Sequence, residues 1–112
     1  MTGHYLDEGL LEELRGILEE EFPKLIATYV NDSTVRVADI QREFADGNAE
    51  ALRRSVHSLK GASANLGLVY LVDVCQRLEE AARSGSLAGQ SALVTEIQQE
   101  QHRALQLLRE RQ

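Results

Sequence analysis

The sequence predicts an all-α protein, an up-down-up-down antiparallel four-helix bundle with a short extra N-terminal helix. Three observations predict it. Leu, Ala, Glu, Gln and Arg recur along all 112 residues, and these are strong helix formers. Apolar residues return every three or four positions over long stretches, which is the period of a helix packed on one side. The punctuation is sparse, chiefly Pro23, Gly47, Gly67 and Gly85, so the links are short, and short links turn successive helices antiparallel.

The first helix is expected from about Asp7 to Glu20. Asp7 can cap it, and Leu10, Leu14, Ile17 and Leu18 give it an apolar side. Pro23 is tolerated in the first turn of a second helix that should reach Ala45. Its stripe is Phe22, Ile26, Tyr29, Ser33, Val37, Ile40 and Phe44. Asp46-Gly47-Asn48 is a turn, with Asn48 placed to cap the third helix, Ala49 to Leu66. That helix turns Leu52, Val56, Leu59 and Leu66 inward, and the small Ser63 should thin the core beside it. Gly67 ends it. A fourth helix, Leu68 to Ser84, points Leu71, Val74, Cys75, Leu78 and Ala82 inward, and Gly85 closes it. The fifth runs from about Leu87 to Arg109 on Leu93, Ile97, Ala104, Leu105 and Leu108, with Gln101 interrupting the stripe.

Residues 1–112 read as a single domain with room for one sizeable core. The 43% hydrophobic and 27% charged content is that of an ordinary soluble chain. A net charge of −6 makes it a poor general binder of phosphate backbones, so nucleic acid is not an expected partner. The longest mostly apolar stretch, Leu66 to Val72, is too short to span a bilayer, and the N-terminus lacks the pattern of a secretory signal. The single Cys75 excludes an internal disulfide and suits a reducing cytoplasm; it reads as a small core residue. His4, His57 and His102 are scattered and do not read as a metal cluster.

The segment HSLKGASANLG, residues 57–67, stands apart. On a wheel of about 100° per residue with Val56 at zero, the apolar stripe centres near about −40°. Arg53, His57, Lys60, Gly61 and Ala64 then fall between about 40° and 140° on that wheel, a second face beside the core. His57 is thus on a flank where its ring can reach solvent. Its helical neighbours are Gly61 at i+4 and Ala64 at i+7, which cannot wall it off. A glycine inside a helix costs roughly 1 kcal/mol relative to alanine, so it invites a reason. Room for a large group or partner surface is one; close packing against a neighbouring helix is the other. Ala51 to Val72 holds Arg53, Arg54 and Lys60 and no Asp or Glu, a local positive patch on an acidic chain. Such a patch suits an anion, phosphate above all. Arg53 could grip oxygens as a fork and Lys60 as a compact charge, although solvated helix charges are an equal reading for the arginines. A neutral histidine carries a free nucleophilic nitrogen, and cations beside it would stabilise a transferring phosphoryl group.

The run His57-Ser58-Leu59-Lys60-Gly61, followed by Ala64, Leu66 and Gly67, resembles the motif of histidine-containing phosphotransfer (HPt) domains. Leu71, Cys75, Leu78 and Glu79 resemble that family's next helix. The resemblance implies a phosphorelay carrier of two-component signalling. His57 would accept a phosphoryl group from an aspartyl phosphate on a receiver domain and pass it to a second receiver. Lys60 would neutralise the phosphate, and Gly61 would leave room for the partner. Glu79 stands where some members place a glutamine that bonds the ring; a carboxylate there could orient the ring through its N–H but would repel a phosphate if too close.

The partners so implied are receiver domains of hybrid sensor kinases and response regulators, met by a cytoplasmic monomer. It would carry no cofactor of its own, the Mg²⁺ of aspartyl-phosphate chemistry belonging to the receiver. With no Gly-rich nucleotide loop, the chain should not phosphorylate itself from ATP. The competing reading is a helical interaction module without chemistry. An acid–base enzyme ranks below both, because no carboxylate lies within a turn of His57 in sequence and a helix flank offers no pocket.

Overall fold

Capping side chains and glycines cut the described residues into five α-helices where the pattern predicts them. The computed structural model describes residues 5–112, so His4 lies outside the described residues. α1 spans Glu8–Leu18, and Asp7 caps it by accepting the amide of Leu10 at 3.1 Å. A single 3₁₀ turn, Glu19–Glu21, leads into α2 (Phe22–Ala45), with Pro23 in its first turn. Asn48 caps α3 (Ala49–Asn65) by accepting the amide of Ala51 at 3.1 Å. α4 (Val69–Ala82) follows after three residues, and α5 (Ser91–Arg109) completes the chain.

α2 packs against α3 and α5, and α4 packs against the same two, so the four long helices close into a bundle. α2, at ~36 Å by its rise per residue, covers most of the molecule's 43 Å length. The expected stripes form the core. Phe22, Ile26, Tyr29, Val37 and Ile40 of α2 meet Leu52, Val56 and Leu59 of α3, with Leu71, Val74, Cys75, Leu78 and Ala82 of α4 behind them. Each fully buried leucine or isoleucine contributes about 1.5–3 kcal/mol by leaving water.

The core beside Ser63 is not thin. Tyr29 fills that space, and its hydroxyl shares a 2.8 Å hydrogen bond with the Ser63 hydroxyl, which joins α2 to α3 inside the core. Gln101 interrupts its stripe as expected but is buried too, donating to the Ser33 hydroxyl at 2.9 Å and the Thr34 hydroxyl at 3.3 Å. Two inward assignments change. Ile17 is 70% exposed while Leu11 is buried: Ile17 and Leu18 are turned about 100° apart, and the Leu18 side faces the core. On α5, Val94 is buried and Leu93 only half-buried. α5 also starts later than Leu87, because Gly85 and Gly89 both take positive φ and the Ser84 and Ser86 hydroxyls accept loop amides.

The α3–α4 link is anchored from outside. The amide of Asp7 donates to the carbonyl of Gly67 at 2.7 Å, and Gly67 has φ +72°. A Cβ on it would lie 3.0 Å from that of Asp7, so both conformation and contact call for glycine. This fixes the rotation of α3 against α4, the two helices that carry the site. No helix among the described residues is long and apolar enough to cross a membrane.

Candidate functional site

α3 turns one face toward solvent at its border with α4. The wheel places His57 there, and the structure agrees: the side chain is 68% exposed. Gly61 and Ala64 are exposed on the same face. A Cβ at Gly61 would meet nothing within 4 Å, so close packing against a neighbouring helix is not the reason for this glycine. It leaves an open approach to the ring.

The carboxylate missing from the local sequence arrives from α4. Glu79 is 6% exposed, and its Oε2 lies 2.9 Å from Nδ1 of His57. A carboxylate only accepts, so Nδ1–H is the donor, and a neutral ring then keeps its lone pair on Nε2, the outer nitrogen. The other carboxylate oxygen meets the ammonium of Lys60 at 2.7 Å, a close ion contact. Lys60 Nζ also donates to Oε1 of Gln76 at 2.8 Å, and Gln76 in turn donates to Glu80 at 2.7 Å. Burial pushes the Glu79 carboxyl up, but Lys60 and His57 outweigh that and hold it below its ordinary value. Glu79 is therefore an anion near neutrality. It turns the imidazole and holds Lys60 with its two oxygens.

His57, Lys60 and Glu79 thus come together, with Gly61 and Ala64 as the open floor beside them. Arg53 does not join: it is half-buried one turn earlier and has no ion pair among the described residues. Gln76 escaped notice in the sequence. Its signal was its place three residues before Glu79, on the same face of α4. Cys75 lies just inside the site with no exposure; burial pushes its thiol up to about 12, which keeps it an unreactive core group.

The four-helix bundle presents an oriented, open histidine beside an ammonium group, an arrangement that suits a histidine phosphocarrier. Comparison with known proteins agrees. The model of the Hpt domain family matches residues 24–110, and the chain belongs to that family, the phosphocarriers of two-component phosphorelays. The crystal structure of histidine-containing phosphotransfer protein B (HptB) from Pseudomonas aeruginosa PAO1 superposes with a TM-score of 0.91 at 36% identity, over 96% of this chain and 93% of that one. The HPT domain of a sensor hybrid histidine kinase from Shewanella shares the fold, with a TM-score of 0.78 at 18% identity over 96% of this chain and 93% of that one. The sensory/regulatory protein RpfC of Xanthomonas campestris pv. campestris is 35% identical over 68 residues, 59% of this chain. The match spans only 9% of RpfC's own length.

Proposed function

We propose that His57 is the phosphoacceptor. Its Nε2 attacks the phosphorus of an aspartyl phosphate on a receiver domain, and the phosphoryl group later leaves to the aspartate of a second receiver. The observation that carries this reading is the ring itself: mostly exposed, held by Glu79 at Nδ1 so that Nε2 is the free nitrogen, on a helix face cleared by Gly61 and Ala64. Lys60 lies one helical turn from the ring and supplies positive charge for the equatorial oxygens as the phosphoryl group passes.

The partners are receiver domains of hybrid sensor kinases and response regulators. The Mg²⁺ of the reaction sits on the receiver. The chain acts as a monomer in the cytoplasm and takes its phosphoryl group from a receiver rather than from ATP. The test is to mix the protein with a phosphorylated receiver domain and follow the label. The receiver should lose its phosphoryl group while the chain gains an acid-labile one, and His57→Gln should stop the gain. A module that only binds predicts that label stays on the receiver and that complex formation survives His57→Gln; that result would overturn the proposal.

A further inference from the structure

Lys60 is held on the inner side of the ring. Its ammonium meets Oε1 of Glu79 at 2.7 Å and the amide oxygen of Gln76 at 2.8 Å. Only 22% of its side chain is exposed, against 68% for His57. Nδ1 of His57 faces Glu79, so Nε2 lies on the other side of the ring from these anchors. Gln76 is itself fixed: its amide nitrogen donates to Glu80, one turn on along α4, at 2.7 Å. A carboxylate only accepts, so Glu80 takes the nitrogen end of the amide and leaves the oxygen end to Lys60.

We propose that Gln76 is a positioning residue for Lys60, a retaining arm that holds the ammonium back while the ring is bare and so limits how far the phosphoryl equilibrium runs toward this chain. The inference rests on the phosphoacceptor reading. In the loading step the Nε2 lone pair forms the P–N bond, the P–O bond to the receiver aspartate breaks, and that electron pair stays on the aspartate carboxylate. The phosphoryl oxygens then draw Lys60 outward, and the ammonium gives up Gln76. Loss of that hydrogen bond counts against the loaded state. It is regained in the outward step: a receiver carboxylate oxygen attacks phosphorus, the P–N electrons return to Nε2, and Lys60 swings back to Gln76. A carrier that must hand its load on is hindered by holding it too well, and this contact works against that.

A neutral amide suits this task better than another carboxylate would. It holds an ammonium less tightly than an anion does, and it adds no charge to repel the phosphoryl group. Half-buried and bonded to Glu80, it stays in place when Lys60 leaves. Arg77, the next residue of α4, does not disturb the arrangement, because it pairs with Asp73 at 3.2 Å and Glu96 at 3.7 Å instead.

The experiment reads an equilibrium rather than a rate. The full chain and its Gln76→Met variant, which keeps the side chain's length and removes the acceptor, are each mixed with one phosphorylated receiver until the label stops redistributing. The ratio of label on the chain to label on the receiver should rise by about tenfold in Gln76→Met, the scale set by losing a hydrogen bond to a charged group. In a Lys60→Met background the same change should move nothing, because the interaction it removes is already gone. An unmoved ratio, a ratio moved toward the receiver, or a shift that persists in the Lys60→Met background would each overturn the proposal. Label on the unchanged protein, lost in His57→Gln, reports separately on the phosphoacceptor reading. A second arm needs no phosphoryl group. The chain has two lysines, and Lys24, with 74% of its side chain exposed, is an internal reference. In ¹⁵N spectra the Lys60 ammonium should exchange protons with water more slowly than that of Lys24, and Gln76→Met should speed it. A Lys60 signal as fast as that of Lys24, or one untouched by Gln76→Met, would contradict the proposal outright.

Discussion

Lys60 has two uses that compete. In the unphosphorylated protein its ammonium is held by Glu79 at 2.7 Å and Gln76 at 2.8 Å, and its side chain is 22% exposed. To serve a phosphoryl group on His57 it must leave both. Lys60→Met should therefore slow loading from a phosphorylated receiver by about tenfold or more, with the helical circular dichroism unchanged. Unaltered loading would show that Lys60 serves only the fold. Glu100 behaves oppositely to Glu79. Burial pushes its carboxyl up, Arg103 at 3.6 Å only partly offsets this, and Glu96 adds to it. A carboxylate whose folded pKa is raised costs stability above that pKa, and the cost disappears as pH falls through it. Glu100→Gln should accordingly raise the melting temperature near neutrality and bring no gain in acid. A lower melting temperature at neutral pH would contradict the burial argument. The two acids read alike in sequence, each one glutamate in an amphipathic helix. Glu79 differs in meeting His57 and Lys60 of another helix, which no local spacing encodes, whereas the charges beside Glu100 stand on its own helix.

α3 could be read from sequence nearly whole, because its stripe and its second face both obey one period. α2 could as well: its buried residues recur at three and four over 24 residues, too long a run for chance. α1 was read less well, since in 11 residues a stripe centred on Leu14 fits either flank, and only packing chose Leu11 over Ile17. The histidine, lysine and glycine of the site share a single helix and were visible together. The Glu79 contact was not, because it joins residues 22 apart and depends on how α4 is rotated against α3. Gly61 gives the prediction at this scale. Gly61→Ala should stabilise the protein by about 1 kcal/mol, since the added Cβ meets nothing within 4 Å. Gly61→Leu should also fold, yet transfer slowly, because its side chain stands where the receiver must approach. Urea unfolding and transfer rates on both variants check this. A destabilised Gly61→Ala, or normal transfer by Gly61→Leu, would rule out the open-approach explanation.

The whole molecule holds that approach rigidly. Core contacts run through every helix, the Tyr29–Ser63 hydrogen bond ties α2 to α3, and the Asp7–Gly67 bond sets the α3–α4 corner. At that same end Arg111 grips both carboxylate oxygens of Glu8, at 2.6 and 3.0 Å, and so joins α1 to the end of α5. A frame fixed on so many sides suits the role proposed for His57, which is to show one ring in one orientation. The most direct test of the account locates the phosphoryl group after exposure to a phosphorylated receiver, by ³¹P spectroscopy and peptide mapping at neutral pH. The account predicts one P–N linkage, on Nε2 of His57. A phosphoryl group found on His102, or a chain still unmodified while the receiver stays charged, would contradict it.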